Sequence, residues 1–202
     1  MSCNGSALTL LRNTYMATLI KDKRIAPDPW QLLQLPQLPQ LLKPAADGST
    51  TRVLPTGDWL VPLTVWAEQR ATLVTRQGRN GVLLENTDDP RALAADFDKL
   101  AMIAVRFPKF TDGRGYSIAR LLRRLGWQGE LRAVGDVQRD ELFYMSRCGF
   151  DAFELREGQN AENALTAFND FTMPYQAAID NGSRFGGAPA AGNAAINAIS
   201  PW

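Results

Sequence analysis

Between Arg106 and Ser117 the chain reads RFPKFTDGRGYS, which sets Arg106, Lys109 and Arg114 within nine residues at the start of a helix-forming run. Those residue types in that order suit an oxyanion. The first N–H groups of a helix have no intrahelical partner, glycine lets a ligand approach the backbone, and the three cations supply charge-assisted donors. Asp112 and Ser117 add polar groups, so Arg106, Lys109, Asp112, Arg114 and Ser117 form a candidate cradle for a phosphate or sulfate group. The spacing is neither GxGxxG nor a Walker loop, and Asp112 equally suits capping of the helix. A second junction, GDVQRDEL, puts Asp136 at the end of a strand and Arg139 at the start of the next helix. Asp136 is a candidate catalytic carboxylate or ligand contact with Arg139 as its partner. The same two residues also read as a helix cap and a surface charge.

Other chemistries are excluded by what is missing. The sequence contains no histidine, the usual general base near neutral pH and the commonest zinc or haem ligand, so Ser-His-Asp triads, Cys-His dyads and histidine metal sites are ruled out. The two cysteines, Cys3 and Cys148, lie far apart and outside any CxxC pair, so no metal, haem or iron–sulfur cluster is expected from this chain alone. Redox chemistry would require a flavin, a nicotinamide or a metal-bearing partner. Cys148 directly precedes Gly149 at a helix end, where the dipole disfavours a thiolate, and reads as a packing residue. With 22 basic against 21 acidic residues there is no global field to attract nucleic acid or an anionic membrane. No hydrophobic run approaches the roughly 20 residues needed to span a bilayer. The low cysteine count fits a reducing, cytoplasmic setting.

Strands and helices in alternation are what would bring the candidate residues together. Strands are expected at 59–63, 81–85, 102–105, 130–134 and 151–155, and helices at 64–75, after Pro90, after Asp112, at 139–147 and at 161–171. Short connections between such elements imply right-handed βα crossovers, hence an α/β fold with a mainly parallel sheet, either open or curved like part of a TIM barrel. The strand ends of a parallel sheet share one edge, so Glu85, Arg106 with Lys109, Asp136 and Arg156 are expected to converge there. On the helix after Asp112, Ile118, Leu121, Leu122 and Leu125 should face inward, with Arg120, Arg123 and Arg124 outward as solvated surface or a docking patch. This α/β domain is assigned to residues 58–177. Before it, residues 1–18 read as an N-terminal extension in which Met16 offers an alternative start. Residues 19–57 begin with two short extended segments around a polar turn, closed by Pro27 and Pro29, followed by a Pro/Leu/Gln linker. The Gly-, Ala- and Asn-rich residues 178–202 are expected to be a disordered tail.

The phrases FPKFTDGRGYSIARLLR, GELRAVGDVQRDELFYMSRCGFDAFEL and FNDFTMPYQ closely resemble the bacterial family catalogued as domain of unknown function 934, over roughly Met16 to Gln176. Members of that family are typically encoded beside assimilatory sulfite reductase and are often described as oxidoreductases of sulfite reduction. The resemblance implies a pathway and no catalytic residues. Combined with the missing histidine, it implies that the sirohaem and iron–sulfur chemistry belongs to a partner, the sulfite reductase haemoprotein subunit. Two roles follow as expectations. One is an accessory protein that docks on that subunit and aids assembly or electron delivery. The other is a cofactor-dependent oxidoreductase or other enzyme acting on a small sulfur-containing or phosphorylated anion.

Overall fold

The computed structural model describes residues 18–33, 54 and 56–170. The alternative start at Met16, most of the Pro/Leu/Gln linker and the tail from 178 to 202 lie outside the described residues. Among those described, eight strands form one mixed sheet that curls into a half-barrel. The chain begins with β1 (Leu19–Lys21) and β2 (Arg24–Ala26), an antiparallel hairpin. Its two turn residues, Asp22 and Lys23, both have positive φ (49° and 60°), the backbone of a primed turn that matches strand twist.

The next strand, β3 (Gln31–Leu32), lies at the opposite edge of the sheet. Then follow β4 (Trp59–Pro62), α1 (Leu63–Thr75), β5 (Asn80–Leu84), a 3₁₀ segment (Pro90–Lys99) and β6 (Met102–Phe107). The chain continues with α2 (Arg114–Arg124), β7 (Glu130–Gly135), a 3₁₀ turn (Arg139–Glu141), α3 (Leu142–Cys148) and β8 (Ala152–Glu154). It closes with α4 (Ala161–Thr166) and a last 3₁₀ turn at Ala167–Asn169. The sheet order is β2-β1-β8-β7-β6-β5-β4-β3, and β3 through β8 pair in parallel. The expectation of a mainly parallel sheet is corrected to a mixed one. The hairpin accounts for the difference, because β1 adds antiparallel to β8 with Leu19 opposite Glu154.

Sequential strand order with right-handed crossovers places successive helices on one face of the sheet. That face carries the main core: Val61, Val82, Ile103, Val105, Phe107, Leu131 and Phe153 pack with Trp66, Leu93, Ile118, Leu122, Met145 and Phe168. The opposite, concave face carries a smaller apolar cluster of Leu60, Leu83, Met102, Ala104 and Val134, backed by Trp30 and Leu32. In β5 and the first part of β6 both faces are apolar, which is why these stretches read as near-continuous hydrophobic runs.

The sequence places Pro27 and Pro29 in the connection from β2 to β3, which passes over the concave face from one edge of the sheet to the other. Asp28 reaches Arg132 on β7 at 2.8 Å, and the Trp30 ring lies where a Cβ on Gly81 would meet it at 3.0 Å. Residues 19–32 are thus part of the same sheet as the later strands.

Two inward and outward assignments on α2 change. Leu125 is exposed, because the helix ends at Arg124 and the chain turns at Gly126 with φ 100°. Arg123 points inward as a clamp, donating to the carbonyls of Gly149, Trp127 and Gly129 (2.9, 3.0 and 2.9 Å) and to Asp151 Oδ2 at 2.8 Å. Its outward reading followed from helical spacing alone. Spacing does not register that the loops at the end of α2 and before β8 present unpaired carbonyls to this side chain.

Candidate functional site at the carboxyl edge

The carboxyl ends of β5, β6, β7 and β8 do share one edge. Leu84 pairs with Val105, Phe107 with Gly135 and Ala133 with Phe153, so Glu85, Arg106, Asp136 and Arg156 all leave their strands there. They meet as ion pairs: Arg106 Nε lies 3.3 Å from Glu85 Oε1, and Arg156 Nη1 lies 3.2 Å from Asp136 Oδ1. Asp136 also accepts from the backbone N–H of Phe110 at 3.1 Å. Gly135 makes this possible. Its φ of 101° favours glycine, and a Cβ there would sit 2.4 Å from the Phe107 carbonyl oxygen, which accepts from Asp136 N–H at 2.9 Å.

Beside this edge the β6–α2 loop encloses a shallow, open cleft of about 470 Å³ lined by Asn86, Pro108, Lys109, Thr111, Asp112, Gly113 and Arg114. Of the candidate cradle, Lys109, Asp112 and Arg114 come together here. Arg114 already has an anion: its Nε and Nη2 donate to the two Asp112 oxygens at 3.0 and 2.7 Å, and its backbone N–H adds a third bond at 3.1 Å. These Arg114 bonds, with one from the Asn86 amide, hold the Asp112 carboxyl well below the usual carboxylate range. The two glycines of the motif have separate roles. Gly113 is open and faces the cleft, whereas Gly115 is packing, since a Cβ would meet the Phe107 ring at 2.5 Å.

The other candidates lie elsewhere. Arg106 alternates away from Val105 and Phe107, which face the helices, and so it falls on the concave side. Ser117 is exposed on α2 outside the cleft lining. Arg139 does not meet Asp136. It grips α4 and the following turn through Asn163 Oδ1 (2.9 Å), Thr166 Oγ1 (3.0 Å) and Asp170 Oδ2 (3.0 Å). Cys148 is buried, and burial pushes its thiol up. Tyr116 donates to Glu141 at 3.0 Å, and burial, with the Glu141 charge, raises its phenol as well.

Sequence reasoning did not single out the concave-face charges. Arg132, 2% exposed, donates to Glu130 Oε1 (2.8 Å) and Asp28 Oδ2 (2.8 Å), and Lys21 reaches Glu130 Oε2 at 2.7 Å. Glu154 stands on the same face, and burial raises its carboxyl above the ordinary range. The available signal was alternation: in Leu131-Arg132-Ala133 and Phe153-Glu154-Leu155 the charged residue sits between two that face the helices. Among the described residues no group of three or more Cys, Asp or Glu is arranged to hold a metal ion. No helix among them is long and apolar enough to cross a membrane.

Residues 81–185 match the family model described as bacterial protein of unknown function, DUF934. The chain belongs to this family. The match covers β5 through α4, and with them the whole carboxyl edge and the cleft. No curated protein matches the chain.

Proposed function

We propose that this protein is a cytoplasmic accessory of assimilatory sulfite reduction, acting with a separate sulfite reductase haemoprotein subunit in docking, assembly or electron delivery. The observation that carries the reading is the state of the charged edge. Arg106, Arg114 and Arg156 are exposed, and each is already matched by a carboxylate of the same chain. A surface of this kind is ready for exchange of ion pairs with a charged partner, and among the described residues burial raises the Cys148 thiol and the Tyr116 phenol, which disfavours their charged, nucleophilic forms. The pathway rests on the resemblance carried by FPKFTDGRGYSIARLLR and the neighbouring phrases. The absence of histidine supports leaving the haem chemistry to the partner.

One observation favours a second reading. The open cleft with Lys109 and Arg114, about 470 Å³, falls in the range of small-molecule sites, which fits an oxidoreductase or other enzyme using a bound flavin or nicotinamide on a sulfur-containing or phosphorylated substrate. Affinity capture of the full chain with the haemoprotein, together with its visible spectrum, separates the two. Co-purification without a chromophore supports the accessory, and flavin absorbance without capture supports the enzyme. Loss of the protein should impair growth on sulfate and be rescued by sulfide or cysteine. Normal growth on sulfate in a cell with a single copy removes the pathway assignment.

A further inference from the structure

The strand register sorts the concave face into layers. In the middle layer Leu83 pairs with Ala104, Ala104 with Arg132, Arg132 with Ala152 and Ala152 with Lys21. One step nearer the carboxyl ends, Glu85, Arg106, Val134, Glu154 and Leu19 fall in a second row. Leu84 pairs with Val105, Arg106 with Val134 and Glu154 with Leu19, and Ala133 opposite Phe153 sets Val134 beside Glu154. The two layers differ in how their charges are satisfied. In the middle one Arg132 has two carboxylates within 2.8 Å and is closed to solvent. In the upper one Arg106 holds only the half-exposed Glu85, at 3.3 Å. Glu154 is half-buried, and among the described residues no donor reaches it; Arg132, Asp28 and Arg106 act on it only through space.

We infer that Arg106 and Glu154 are the two poles of a second ligand site, on the concave face at the mouth of the half-barrel, which takes a small zwitterion such as an α-amino acid. They stand two strands apart, about 10 Å across the sheet, with only apolar Val134 between them. A simple anion drawn to Arg106 would meet the charges of Glu85 and Glu154, and a simple cation drawn to Glu154 would meet Arg106 and the Arg132 charge beneath. A molecule carrying a carboxylate at one end and an ammonium at the other satisfies both poles at once. The acid group accepts from the Arg106 guanidinium, and the ammonium donates to the Glu154 carboxylate that lacks a donor. This site is separate from the α2 cleft and does not rest on the sulfite-reduction reading. Its place at the carboxyl ends of parallel strands is where curved α/β sheets present ligand-binding side chains.

Calorimetric titration of the full chain with glycine, L-alanine, L-serine and L-cysteine tests it, with acetate and ethylamine as probes that each carry one charge. At least one amino acid should bind, and both half-ligands should bind at least tenfold more weakly. Glu154→Gln and Arg106→Gln should each weaken that amino acid by roughly 10- to 100-fold, the loss expected for one charge-assisted contact. Arg124→Ala, on the outer face of α2, should change nothing. The isosteric Glu154→Gln leaves no structural bond broken, so it remains informative if Arg106→Gln fails to fold. The inference is overturned by absence of heat with all four amino acids, by acetate binding as tightly as the best of them, or by unchanged affinity in Glu154→Gln.

Discussion

The two ends of the curled sheet use the same residue types to opposite ends. Towards the amino end, from the middle layer of the concave face down, Arg132, Glu130, Asp28 and Lys21 form a chain of ion pairs at 2.7–2.8 Å around a guanidinium with 2% exposure. At the carboxyl end, Arg106, Arg114 and Arg156 have one carboxylate partner each and side chains 39%, 60% and 59% exposed. The first arrangement ties the β2–β3 crossing to β7. The second leaves each cation free to exchange its partner. An arginine therefore signals function here only where the backbone leaves it a single partner in water; where loops and carboxylates surround it, it is part of the frame.

Arg132→Ala should break the amino end outright. Removing one member of a buried ion pair strands the others, and here Asp28 would lose its charged partner while Glu130 would keep only Lys21, so chemical denaturation should show a loss of about 3–5 kcal/mol. A loss below about 1 kcal/mol would mean that the buried cluster behaves like an exposed one and that the contrast between the ends is false. Arg123→Ala tests the same idea beside it. Four acceptors on two loops lose their donor, and unfolding should be easier by about 2–4 kcal/mol. Its lost affinity for a haemoprotein partner would then follow from unfolding, and only a folded Arg123→Ala variant that fails in capture would return this residue to the outer surface.

How much of this was legible in the sequence differs between the ends. Alternating apolar runs and glycine stops located β4 to β8 and the helices between them, and the shared carboxyl edge follows from parallel crossovers alone. The N-terminal hairpin was read as two extended pieces, yet nothing local in Leu19–Ala26 says that it adds antiparallel to β8, a strand more than 125 residues later. That is a pairing decided by tertiary packing. The site shows the same limit. Lys109, Asp112 and Arg114 could be grouped because one loop carries them. Arg106 was grouped with them by proximity in sequence, although strand alternation sends it to the other face. Glu154 is not legible in this way, because its distinction is that no donor among the described residues reaches it, which only the folded neighbourhood reveals.

Two glutamates on the concave face sharpen the comparison through pH. Burial works against the charge of Glu130, but the Lys21 and Arg132 hydrogen bonds and charges outweigh it and bring its carboxyl below the usual value. Its stabilising contribution is therefore present above the ordinary glutamate range and is lost as pH falls through the lower folded value. Glu154 has the opposite sign: burial raises its carboxyl, so its charge opposes folding at neutral pH, and the penalty lifts as pH falls towards the ordinary range. Glu130→Gln should be less stable than the unmodified chain at pH 7, with the gap closing in acid. Glu154→Gln should be at least as stable at pH 7, with its advantage shrinking as pH drops to about 4.5. Parallel pH profiles for the two variants would put both carboxylates in one environment and remove the distinction between the layers.

The smallest structural effect is expected at Arg114, and its smallness is the point. Its pairing with Asp112 lies in solvent, where ordering two side chains offsets most of the attraction and salt screens the rest. Arg114→Ala should leave the denaturation midpoint unchanged. If the cleft holds a small anion, the same variant should weaken sulfate or phosphate by roughly 10- to 100-fold in calorimetry, since a charge-assisted donor is lost. Asp112 supplies the opposing test, because in the free protein its carboxylate occupies the position that a bound anion would contest. Asp112→Asn removes that competitor and its repulsion while keeping an oxygen for the Arg114 backbone N–H, so anion affinity should rise. A fall in affinity on Asp112→Asn, with Arg114→Ala also weak, would show that the carboxylate positions the guanidinium for the ligand. Unchanged affinity in both variants would leave the cleft as plain surface and its charges for partner docking.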